Sequence, residues 1–151
     1  MELLNYKFRG ARSLVLLHEF HLPSFYNTWK QAKEEGIKLP ETDNPDYESM
    51  QTLLVHVLGW AGNYMRWICK NLNLSDPEIS TVPSKEEVEE KAEDYIKHLL
   101  ERWRIPLADL EWEKFELVFE DRTILAMMEH AVMHPIRHEF QLKELMSAGK
   151  Q

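Results

Sequence analysis

Four long stretches of apolar residues at helical spacing, divided by three clusters of turn formers, constrain this chain to a packed set of helices. The breaks fall at 36–45, at 73–84 and, less sharply, at 104–121. The first stretch, 10–35, carries Leu14, Leu17, Leu22, Phe25 and Trp29 at helical intervals and stops at Gly36, with Pro23 predicting a bend. The second, 44–73, opens on Asn44 and Pro45, a cap followed by proline at the first helical position. The third, 84–103, begins with Ser84-Lys85-Glu86-Glu87, which reads as a capping box ahead of a charged, solvated face. The fourth starts at Asp121 or Thr123 and ends by Gly149. Just before it, Phe115, Leu117 and Phe119 alternate with Glu116, Val118 and Glu120, a pattern that suits an extended crossing segment as well as a helix. Long connections between four amphipathic helices predict an all-α four-helix bundle with at least one crossover. At 151 residues, 44% of them hydrophobic, a single domain over 1–151 is expected.

Bulk charge narrows the partners. A formal net charge of −8 argues against a nucleic-acid binder, because displacing counterions from phosphates needs a basic face. The acidic surface reads as a solubility feature. Cys69 is the one cysteine, so neither an intramolecular disulfide nor an all-cysteine zinc site can form. The apolar run at 14–17 ends at His18 and Glu19, unlike a signal peptide, and no apolar stretch approaches the roughly 20 residues of a membrane span. A cytoplasmic protein without membrane contact is expected.

The histidines carry the most specific pattern. At about 100° per residue, Met127, His130, His134, His138, Gln141 and Leu145 fall on one stripe of the last helix. Side chains four apart are neighbours, so His134 and His138 can share one ion. With 7 histidines, chance supplies about 0.3 H-x-x-x-H pairs, so one pair says little and the overlapping series His130, His134, His138 says more. On the second helix Thr52, His56, Trp60, Asn63 and Trp67 share a face, and His56 is the best third ligand there. His18 and His21 on the first helix fit a helix surface or core edge equally well. Spacing alone leaves a metal site and solvent-facing or hydrogen-bonded histidines as alternatives. The chain has no H-E-x-x-H of zincins and no E-x-x-H of di-iron bundles, which favours one metal with nitrogen ligands over a bridged pair.

Two segments resemble the DinB-like (damage-inducible) family, which includes bacillithiol- and mycothiol-dependent transferases. Leu53-Leu54-Val55-His56-Val57-Leu58-Gly59-Trp60 is similar to its second-helix motif, and the segment from Glu129 to Leu142 is similar to its last-helix H-x-x-x-H-x-x-x-H-x-x-Q pattern. The resemblance implies His56, His134 and His138 as ligands of one divalent metal, with His130 and Gln141 as neighbours. It also implies a homodimer of four-helix bundles. Glu139 and Phe140 replace a glycine-containing stretch of many members, predicting a bulkier or more polar pocket rim. Pro135 lies between the paired histidines and leaves the carbonyl of Ala131 without its helical partner, predicting a local kink.

Three neutral ligands leave coordination positions open, the pattern of a catalytic site. The function that the family resemblance implies for such a site is a metal-dependent transferase or hydrolase that activates a low-molecular-weight thiol, or water, for attack on a small electrophile. Asn63, Gln141, Glu129, His130 and His21 are the polar groups expected on the substrate side. The alternative is a non-catalytic metal-binding stress-response protein acting through dimer contacts. Cys69, thirteen residues beyond His56 at about 1.5 Å of rise each, reads as a small buried residue rather than a nucleophile. Trp60, Trp67 and Met127 read as core more readily than as a pocket lining. Imidazole ligands alone do not choose among zinc, nickel, iron and manganese.

Overall fold

The computed structural model describes residues 5–149, so 1–4 and 150–151 of the expected 1–151 domain lie outside the described residues. Within them the chain is predominantly helical: α1 (Arg9–Glu34), a 3-10 turn (Pro45–Tyr47), α2 (Met50–Asn71), α3 (Val88–Trp103), the one-turn α4 (Trp112–Phe115) and α5 (Ile124–Ala148). A two-residue hairpin, β1 (Val118–Phe119) with β2 (Arg122–Thr123), precedes α5. The segment at 104–121 thus divides its alternatives, with helix up to Phe115 and extended chain from Val118. Glu120 and Asp121 turn the hairpin, both at positive φ, the backbone of a tight two-residue turn whose twist matches its strands. No helix of the described residues is long and apolar enough to cross a membrane.

The helix ends follow local chemistry, with two shifts from expectation. Gly36 adopts φ +70 and closes α1 in a Schellman arrangement, its N–H donating to Lys33 and that of Ile37 to Ala32. Asn44 does cap, but it caps the 3-10 turn through Asp46 N–H at 3.0 Å. The helix proper begins after a reciprocal capping box of Ser49 and Thr52. Ser84 makes no such box: its carbonyl accepts from the N–H groups of Glu87 and Val88 in a turn, and α3 starts later, at Val88. Thr123 caps α5 through Ala126 N–H at 2.9 Å. Pro23 and Pro135 lie inside α1 and α5, and both helices continue through them.

One apolar cluster joins every long helix, with Phe25 and Trp29 from α1, Leu54 and Met65 from α2, Leu99 and Trp103 from α3, and Met128 and Leu142 from α5. Indole N–H groups tie the helices where the core would otherwise strand a donor: Trp29 Nε1 donates to Met50 O at 2.7 Å, and Trp103 Nε1 to Ala61 O at 2.9 Å. The most extensive pairing is α1 with α5. At its centre the buried Glu139 carboxylate accepts from Thr28 Oγ1 at 2.5 Å and Ser24 Oγ at 3.0 Å. Burial pushes this carboxyl up, but the bonds from Thr28 and Ser24 and the Lys143 charge outweigh it and hold Glu139 below the usual carboxylate range. Gly149 lies beside Ile37, so α1 and α5 run in the same direction. Gln51 reaches Glu89 and Trp103 reaches Ala61, which sets α2 and α3 in a common direction too.

His18, expected at a helix surface or core edge, is fully buried and stacked on Trp103, ring centroids 3.6 Å apart. Neither of its ring nitrogens has a partner among the described residues. Burial, with a smaller push from His21, lowers its pKa to about 3. The folded state therefore resists the proton that the unfolded chain accepts near 6.5, and stability that is intact above pH 6.5 falls as pH drops from there toward 3. In urea titrations without metal, His18→Phe keeps the stack and is expected to lose less stability than the parent between pH 6.5 and 4, by on the order of a few kcal/mol. Parallel pH profiles would show that His18 is not the acid-sensitive group.

Candidate metal centre

α2 and α5 run past each other with His56 on one and His134 and His138 on the other. Four residues along a helix bring the α5 pair to the same face, and their Nε2 atoms stand 3.2 Å apart. His56 completes the group, its Nε2 3.0 Å from that of His134. One ring nitrogen from each of the three lies within 4.8 Å of the others. His134 and His138 are buried and His56 half-buried. α5 continues through Pro135, and the pair it carries stays convergent, so the proline does not part them.

Two contacts on the far sides of the rings determine which nitrogen is bare. Asp46 Oδ2 lies 3.1 Å from His56 Nδ1, and a carboxylate only accepts, so the proton of neutral His56 sits on Nδ1 and its Nε2 presents a lone pair. Gln141 Oε1, 2.9 Å from His138 Nδ1, does the same for His138, and the Tyr47 hydroxyl donates to that oxygen at 3.4 Å. Two lone pairs therefore face His134 Nε2, which has one proton or one lone pair and can answer only one of them. A cation accepts from all three. Zinc–nitrogen bonds of about 2.0–2.1 Å put tetrahedral ligand nitrogens roughly 3.3 Å apart, close to the 3.0 and 3.2 Å that separate His134 Nε2 from His56 and His138. The donor set fits a divalent ion, and outer carboxylate and amide partners are the usual means of orienting metal-bound imidazoles.

Electrostatics keeps the rings in the neutral form that a metal requires. Burial lowers His134 to about 3, helped by His138, His56, His130 and Arg137. His138 falls to about 4, chiefly by burial, although its bond to Gln141 opposes the shift. His56 is lowered by burial against the pull of Asp46. Tyr64 packs edge-on to His134 at 5.7 Å and to His130 at 5.2 Å, and burial raises its hydroxyl pKa despite Arg137 and Arg122.

The expected neighbours divide. Gln141 touches His138, and exposed His130 stands beside the cluster, 6.5 Å from His134 ring to ring. Asn63, expected on the substrate side, is instead exposed and accepts from Arg66 Nη1 at 2.8 Å, about 10 Å farther along α2 than His56. Glu129 is exposed, five residues before His134 and so about 140° around the helix from it. His21 packs edge-on to Phe20 on α1, outside the cluster. Glu139 points to α1 and Phe140 to solvent, so neither forms the rim expected of them. Cys69 is buried and its thiol is pushed up to about 11 by burial and Asp76, which disfavours a thiolate. Asp46 and Tyr47 were not anticipated, since Asn44-Pro45 reads as the start of a helix and hides the turn that carries them. Tyr64 had a signal, eight residues beyond His56 on the same face.

Asp46→Ala removes the acceptor that orients His56, and metal affinity is expected to fall about 10- to 100-fold with helix content unchanged. Competition against a chromophoric chelator measures it; equal affinities would show that Asp46 does not position the ligand. No family profile, curated protein or solved structure matches the chain.

Proposed function

We propose that the chain is a metal-dependent DinB-like protein, a single-domain four-helix bundle with its crossover between α2 and α3, that activates a low-molecular-weight thiol, or water, for attack on a small electrophile. The observation that supports this reading is the convergence of three imidazole Nε2 atoms, two with lone pairs imposed by Asp46 and Gln141. His56, His134 and His138 would hold the ion, which is zinc, nickel, iron or manganese by ligand type. The chemistry such an ion supplies when bound is Lewis acidity, lowering the pKa of an approaching thiol or water. The protein's own residues do the rest: Asp46 and Gln141 orient the rings, and Tyr64 walls one side.

A second reading, a non-catalytic metal-binding stress-response protein working through dimer contacts, has its own support. Leu17 and Phe20 on α1 and Met133 and Phe140 on α5 are 45–68% exposed on the two helices that pair most extensively. Exposed apolar side chains at such a seam suit a homodimer.

Metal analysis of the purified protein should give about one equivalent, and His56→Ala and His134→Ala should each lose most of it. Unchanged metal in both variants would sink the ligand assignment. Conjugation of several low-molecular-weight thiols to small electrophiles should require the metal and stop on chelation. Full metal occupancy with no metal-dependent turnover across the panel would favour the second reading.

A further inference from the structure

Beneath the connection that joins α1 to α2, the chain forms a cavity of about 230 Å³ between α2 and α5. Leu53 and Leu142, both buried, stand in its wall, with Leu39 from the connection and Leu145 from α5. Leu53 is three residues before His56 and Leu142 four beyond His138, so the cavity lies about one turn along the α2–α5 seam from the histidines. None of the three histidines lines it, which separates it from the open side of the metal centre. Tyr47 and Gln141 also belong to its wall, and the carboxylate of exposed Glu144 stands at its edge.

Size and one hydrogen-bond donor limit what the cavity can hold. An apolar cavity of roughly 150 Å³ takes benzene, so this one has room for a ring and a few further heavy atoms. The Gln141 amide oxygen is already engaged, facing His138 Nδ1 at 2.9 Å and receiving the Tyr47 hydroxyl at 3.4 Å. The amide nitrogen opposite it, with two N–H donors, has no partner among the described residues. Glu144, without an ion pair among the described residues, disfavours a second negative charge beside it. An apolar body carrying one hydrogen-bond acceptor and no negative charge is the complement of this lining.

The same wall reaches the histidines. Asp46 and Tyr47 are consecutive residues of one 3-10 turn, Asp46 against His56 and Tyr47 in the cavity wall and bonded to Gln141. A molecule that fills the cavity and accepts from Gln141 braces both contacts that orient His56 and His138. We propose that the cavity is a second ligand site, for a small uncharged molecule with an apolar body and one hydrogen-bond acceptor, and that Tyr47 and Gln141 couple its occupancy to the affinity of the metal centre. The coupling rests on reading His56, His134 and His138 as metal ligands; the ligand site does not.

Acetophenone is the probe, α-methylstyrene its isostere without the acceptor, and benzoate an anion of similar size. Titrated by calorimetry into the metal-free whole chain, acetophenone is expected to bind saturably, about three- to tenfold tighter than α-methylstyrene and at least about tenfold tighter than benzoate. Leu145→Trp, which adds bulk from a half-buried position in the wall, should abolish binding at unchanged helix content. Gln141→Leu should bring acetophenone down to the level of α-methylstyrene. Cobalt(II) and acetophenone should each raise the other's affinity by one common factor, about fivefold or more. No saturable binding, equal affinity for acetophenone and α-methylstyrene, or unaltered binding in a folded Leu145→Trp would overturn the ligand site whatever the metal does. Cobalt uptake that acetophenone leaves unchanged would overturn the coupling alone. Failure to take up cobalt would remove the metal reading and the coupling with it, and the metal-free titrations would still decide the ligand site.

Discussion

The rotation of α5 about its own axis is the constraint on which the rest of the molecule depends. A helix packed on two neighbours can turn only as far as its buried groups allow, and Glu139 allows almost nothing. Its carboxylate is held by Ser24 and Thr28, and any turn that broke those bonds would leave a buried charge answered only by Lys143 on its own helix. With position 139 fixed toward α1, positions 134 and 138 lie about 140° and 100° away around the helix, which directs them at α2. Apolar Met128, Ala131, Pro135 and Leu142 fill the arc between. The histidine cluster is thus a by-product of how α1 and α5 pack.

Burying three imidazoles is itself unfavourable, and the fold handles the cost unevenly. His18 is left without hydrogen bonds, compensated only by its stack on Trp103. His56 and His138 are each given an acceptor on the outer nitrogen. The contrast separates a histidine used as a flat apolar filler from histidines whose inner nitrogens are kept bare and pointed at one another. Burial class alone does not distinguish them, since His18 and His138 are both almost wholly inaccessible. The partner on the second nitrogen does.

Much of this was legible in the sequence because it follows from helical periodicity. The spans of α1 and α5, the body of α3 though not its start at Val88, and the facing of His134 and His138 come from spacing at 3.6 residues per turn, a local property. His56 needed more, since nothing local says that α2 meets α5 at that height; family resemblance supplied it. Illegible were the features that arise from turns. Asn44-Pro45-Asp46 has the composition of a helix start, yet three residues of 3-10 turn intervene before a better cap at Ser49, and that offset delivers Asp46 to His56 and Tyr47 to Gln141. Asn63 failed for the complementary reason. Its place on a helical face was right to within a residue or so, but a face spans about 100°, and Asn63 sits at its solvent edge.

His56 and His134 are separated by 78 positions in the chain. In an unfolded chain only the α5 pair is near enough to act together, so tight three-nitrogen binding exists only once the long intervening loop has closed. Occupancy and folding are then one linked equilibrium: an ion that prefers the complete set raises folding stability by its differential affinity, and whatever loosens the seam between α2 and α5 loosens the ion's hold. The centre would act as a reversible staple between distant parts of the chain, set or released by the free metal level around it.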